Sequence, residues 1–130
     1  MLDHEFTTTT MITKVDNTKR LVYGIVLEPD TVDAQFDLVP MQVVEDAAHD
    51  FLAKFNKASQ LGVMHTLFGE LGISLVQSYI APVDFELNGV QVKVGTWVMV
   101  VKVFDDALWE RIQNGEITGF SIGGVATVPA

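Results

Sequence analysis

The sequence contains no cysteine, which excludes disulfides and thiolate metal sites and fits a reducing compartment such as the cytoplasm. Basic residues are scarce: 8 Lys and Arg stand against 17 Asp and Glu, for a net charge of −9. That balance excludes a basic nucleic-acid surface, favours solubility and permits a basic partner. No apolar run approaches the roughly 18 residues of a membrane span, so no membrane role is expected. The opening Met1-Leu2-Asp3-His4-Glu5 is acidic and has no apolar h-region, so no secretory leader is expected either. The chain also lacks a phosphate-cradling loop, zinc-ligand spacing and an aromatic–basic patch.

What is present is enough to make a core. The 130 residues are 48% hydrophobic and read as one domain, 1–130, with residues 1–10 flexible or dependent on pairing. Met11 to Val15 and Arg20 to Leu27 are strand-like around the turn chemistry of Asp16-Asn17-Thr18-Lys19. Pro40 suits a helix start, and Val43, Val44, Ala47, Ala48, Phe51, Leu52 and Phe55 predict an amphipathic helix over 41–56. Strands are expected at 61–68 and 73–80 around a turn at 69–72. Asn88-Gly89 is the strongest hairpin signal in the chain. A β-branched strand follows over 96–103, then a short helix capped by Asp105 and stopped at Asn114-Gly115, then a last strand. The short links favour antiparallel pairing. The expected fold is α+β and mainly β: an antiparallel β-barrel of about seven strands with two or more flanking helices.

The most informative stretch is Gly119-Phe120-Ser121-Ile122-Gly123. In a strand, positions 119, 121 and 123 share one face, bare but for the Ser121 hydroxyl. A nucleophile against which a substrate backbone can lie, and a glycine demanded by close backbone contact, both account for it. The pattern matches the hydrolase elbow literally, but no histidine or acid follows Ser121, so its base must lie upstream. Of the three histidines, His4 is near the terminus and His49 falls on the charged face of the first helix. His65 lies in the mostly apolar Leu61 to Phe68, where a structural histidine and a general base both fit.

A third group would orient His65. Hairpin arithmetic puts His65 opposite Val76 or Gln77. Glu70 in the turn is the ionised candidate, Gln77 the uncharged alternative, and Asp84, Asp105 and Asp106 are further options. Lys93 and Lys102 raise a Ser–Lys dyad as a weaker route. Glu28, Asp30, Asp33 and Asp37 lack the EF-hand spacing and read as a turn-forming acidic loop, so no metal is expected.

Several stretches together resemble the XkdF-like phage serine proteases, a branch of the prohead proteases. They are Leu21 to Gln35, Ala47 to Leu52, Met64-His65, Ser78 to Phe85, Gly95 to Val98 and Asn114 to Gly124, and they span nearly the whole chain. The resemblance implies a fold similar to herpesvirus-type assembly proteases, with His65 as base and Ser121 as nucleophile. It implies no cofactor, substrates among phage scaffold and capsid proteins or the protease itself, and action in the host cytoplasm inside the assembling prohead as a homo-oligomer. With so little chain after Ser121, no scaffolding tail is expected to follow. Two positions depart from the family pattern. Phe36 stands where Asp-Ala-Gln-Gly-Asp has glycine, and Gln77 stands where Val-Glu-Ser-Tyr has the acid. The alternative to an active protease is a catalytically weak or inactive assembly module of the same fold. A small-ligand or metal-binding barrel using His65 and Glu70 is the third reading.

Overall fold

The computed structural model describes residues 9–30, 38–60, 72–121 and 126–127. In chain order these form β1 (Thr9–Asp16), β2 (Leu21–Leu27), α1 (Met41–Gln60), β3 (Ile73–Ile80), β4 (Phe85–Leu87) and β5 (Val90–Val92). Then come β6 (Trp97–Val103), α2 (Asp106–Gln113), β7 (Gly119–Ser121) and β8 (Ala126–Thr127).

Local chemistry explains most boundaries. The Asp16 carboxylate accepts the N–H groups of Thr18 and Lys19 at 3.0 and 3.1 Å, closing the β1–β2 turn. Pro40 opens α1, its carbonyl accepting the N–H groups of Val43 and Val44. The helix outruns its expected end at 56 and reaches Gln60, because Asn56 to Gln60 offers no glycine or proline to stop it. Asn88 and Gly89 turn between β4 and β5 with φ of 51° and 81°, the left-handed pair of a type I′ turn. The Asp105 carboxylate accepts the Leu108 N–H at 2.7 Å and caps α2.

The strands form a six-stranded sheet in the order β3-β6-β2-β1-β7-β8 and a separate β4–β5 hairpin. All pairings are antiparallel, so the described residues are mainly β with two helices, as expected. No closed barrel is found among the described residues: β3 and β8 end the order, each with one neighbour. The stretch 61–68, counted as a strand in the expected barrel, lies outside the described residues.

β6 is buried along nearly its whole length, because both faces of the sheet are covered. Trp97 and Met99 pack with Val26 under Val44 and Ala48 of α1. On the same face, Val101 and Val103 pack with Val22 under Trp109 of α2. Val98 turns to the opposite face and meets Leu87 and Val92 of the β4–β5 hairpin. A strand buried on both sides must be apolar at consecutive positions, and Trp97-Val98-Met99-Val100-Val101 is. The result is a helix face and a hairpin face.

Candidate active site

The register between β1 and β7 builds the site. Thr9 pairs with Ser121, Thr10 with Phe120, and Met11 with Gly119. The ladder continues at its end, where the Ile12 N–H donates to the Thr118 carbonyl at 2.9 Å. Thr9 and Thr10 are therefore part of a strand, and the rest of the threonine run lies outside the described residues. Gly119 has a specific cause. A Cβ there would stand 2.6 Å from the Thr10 carbonyl oxygen, closer than real Cβ atoms come. Glycine is thus what lets β7 lie against β1, so the close-contact reading of this glycine holds.

Register also assigns faces, since paired residues point the same way and alternate along the strand. Ile25, which packs with the hairpin cluster, pairs with Met11, which in turn pairs with Gly119. Positions 11, 119, 121 and 9 therefore lie on the hairpin face. Positions 10 and 120 lie on the helix face, where Thr10 is fully buried and its hydroxyl finds no hydrogen-bond partner among the described residues. On the hairpin face Met11 is 56% exposed. The hairpin is tied nearby, with the Asn88 side-chain amide donating to the Thr13 carbonyl at 3.1 Å. Position 121 thus closes a short strand on the face opposite the helices, two places beyond an open methionine.

The other sequence-predicted residues divide into those with a described place and those without. His65, Glu70, His4, Asp33, Asp37 and Phe36 lie outside the described residues. Gln77 is exposed on β3 and pairs with Val100. The register slips between Leu75 and Gln77, leaving Val76 as the extra residue of a bulge. Simple alternation from Leu75 would put Gln77 on the helix face; the bulge moves it to the hairpin face, the face of position 121. Between them in the sheet, however, stand β6, β2 and β1. Four strand steps of about 4.8 Å make roughly 19 Å along the sheet. The sheet alone does not bring Gln77 and position 121 together.

Gln77 lines a groove of about 430 Å³ with Leu52 and Phe55 of α1 and Leu75, Ser78 and Tyr79 of β3. The Ser78 hydroxyl accepts the Trp97 indole N–H at 2.9 Å. Burial, and secondarily the neighbouring Tyr23, raises the Tyr79 hydroxyl above its ordinary pKa. The remaining acids hold structure. Asp84 accepts the Val94 N–H at 2.7 Å, Asp105 caps α2, and Asp106 pairs with Arg20 at 2.8 Å. Lys93 is exposed, and Lys102 sits with its ammonium 5.6 Å from the Phe104 ring centre. Lys102 lies on β6, two strands removed from β1 and three from β7 along the sheet order, which gives the lysine dyad no support. His49 is exposed on α1, as its position on the charged face predicted.

A family model described as "Putative phage serine protease XkdF" matches residues 8–129. The chain belongs to this family. Two proteins of Bacillus subtilis (strain 168) are similar to it. One, "Uncharacterized protein YqbD", is 46% identical over 116 residues, covering 89% of this chain and 34% of that protein. The other, "Phage-like element PBSX protein XkdF", is 42% identical over 110 residues, covering 85% of this chain and 38% of that protein. The chain therefore spans a little over a third of the length of these curated relatives. No solved structure matches it. The XkdF match takes in both His65 and Ser121 as well as β1 and β7.

Two residues of the site escaped the sequence reading. Thr9 and Met11, opposite Ser121 and Gly119, were not legible as site residues because strand pairing between the two ends of the chain leaves no local signal.

Proposed function

We propose that this chain is a serine endopeptidase domain of phage head assembly. In this reading the Ser121 hydroxyl attacks a peptide carbonyl, and His65 takes its proton and returns it to the leaving amine. Water then releases the acyl group. Glu70 orients the imidazole, with Gln77 as the alternative, and backbone N–H groups of the glycine-rich strip receive the oxyanion. The chemistry needs no cofactor. The substrates are scaffold and capsid proteins, or the protease itself, within the prohead in the host cytoplasm, and the domain acts as a homo-oligomer.

The observation that carries this reading is the end of β7. Position 121 falls on the face away from both helices, after a glycine that admits β7 against β1 and beside an exposed side chain. An extended peptide needs an approach of that kind. The XkdF family match supports the chemistry assigned to it.

The reading has a topological requirement. A base and nucleophile share a proton across about 3 Å. If His65 neighbours β3, the sheet must curl until its β3 edge approaches the β7–β8 edge. Closure into the herpesvirus-protease-like barrel is therefore part of the proposal.

Expressing the full chain with a phage scaffold or capsid protein tests it. Ser121→Ala should abolish cleavage of the partner, and equal processing with and without the hydroxyl would reject the enzyme. The second reading, a weak or inactive assembly module, is favoured by the amide at Gln77. Gln77→Glu decides between them if Glu70 is not the orienting group: loss of an orienting carboxylate costs about 10⁴ in turnover in a well-studied triad. A large gain on restoring the acid would identify a weakened enzyme.

A further inference from the structure

Met11 is a 56% exposed apolar side chain on a strand whose next residue, Thr10, is fully buried. Its sulfur lies 3.4 Å from the point where a Gly119 Cβ would stand. The thioether therefore covers the space left by the missing side chain two residues before Ser121, on the same face. The ledge beside the candidate nucleophile is furnished by β1, not by β7. Along the same face, Asn88 ties the β4–β5 hairpin to Thr13, and Val90 next to it is 42% exposed.

We infer that Met11 is a specificity-determining residue, whose thioether receives an apolar, unbranched or aromatic side chain of the peptide next to the scissile bond. The inference rests on the protease reading and deepens it. An extended peptide lying across the hairpin face at position 121 brings its neighbouring side chains over positions 119 and 11, which share that face. Methionine suits such a contact. It is unbranched, polarisable and adaptable, and it accepts aromatic as well as linear partners. An exposed methionine costs little in folding to replace, so its identity is free to follow the substrate.

The test uses the full chain and a synthetic library of random decapeptides, with cleavage sites read by mass spectrometry. The wild-type chain should enrich Leu, Met or Phe at one position flanking the cut. Met11→Leu should keep that enrichment, and Met11→Glu should reduce it at least tenfold without lowering the melting temperature. An unchanged profile in Met11→Glu, with cleavage still abolished by Ser121→Ala, overturns the role of Met11 and leaves the protease standing. If no peptide is cut by either chain, the protease reading fails, and retention of the same library on the immobilised Ser121→Ala chain decides for Met11. Retained peptides should be rich in apolar residues, and adding Met11→Glu should remove the enrichment. An identical retained set, or none, overturns the inference.

Discussion

The centre of the sheet and its β1–β7 rim are built on opposite terms. β6 and β2 are seven residues each, pair with one another, and are covered by helices on one face and the hairpin on the other. β7 has three residues and leans on β1 through a glycine. Trp97, Val98, Met99 and Val100 are each 0–1% exposed, whereas Met11 at the rim is 56% exposed. The contrast teaches that the residues fixing the fold are not those left open at the rim. Stability and activity should therefore respond to different substitutions.

Trp97→Ala should have the largest effect on stability. Trp97 is 1% exposed, its ring centre lies 5.6 Å from that of Phe51, and its indole N–H donates to Ser78. Truncating a buried Trp costs about 3–5 kcal/mol, a large fraction of the 5–15 kcal/mol that holds a typical domain. Urea denaturation would read it as a lowered midpoint. A loss below about 1 kcal/mol would mean that the centre is less tightly packed than its burial implies.

Gly119→Ala comes next and probes the rim. The new Cβ meets the Thr10 backbone oxygen at 2.6 Å, and backbone cannot swing aside as a side chain can. Overpacking of this kind costs about 1–3 kcal/mol. The effect on cleavage should be out of proportion, because shifting β7 shifts position 121, and a misplacement of about 1 Å can cost 100-fold in rate. Stability and kcat should be measured on the same preparation. Equal cleavage by the alanine variant would separate Gly119 from the chemistry.

The two regions also differed in how far they could be read from the sequence. β2, β3, β6, the Asn88-Gly89 hairpin and the Asp105 cap follow from period, turn chemistry and capping, all local signals. Two things outside the centre, one at the β3 edge and one at the rim, do not. The face of Gln77 depends on a one-residue bulge at Val76, and strand alternation carries no mark of it. The partnership of Thr9 to Met11 with Gly119 to Ser121 joins residues more than a hundred positions apart. The glycine itself was visible, but a bare strip and a tight contact look alike until the partner strand is known. The candidate pair of His65 and Ser121 was suggested by residue type and resemblance, and its geometry is the question that the cleavage experiments address.

The smallest effect separates the β3 edge from the rim by pH. Burial, then the proximity of Tyr23, raises the Tyr79 hydroxyl above its ordinary pKa of 10.0. The folded chain therefore keeps that proton at a pH where the unfolded chain has lost it. In that window the unfolded state binds fewer protons, so stability falls as pH rises. The contribution is fully present below about pH 10 and is lost through the raised folded value. Tyr79→Phe has no proton to lose, so its urea midpoint should fall less steeply than wild type above about pH 10. Below about pH 9 the two dependences should run parallel. Cleavage near neutral pH should be unmoved, because Tyr79 keeps its proton there and phenylalanine retains its ring. If the phenylalanine variant instead changed the neutral-pH cleavage profile, the β3 edge and the β7 rim would be in contact. The open order of strands would then have to close, as the proposed catalytic pair requires.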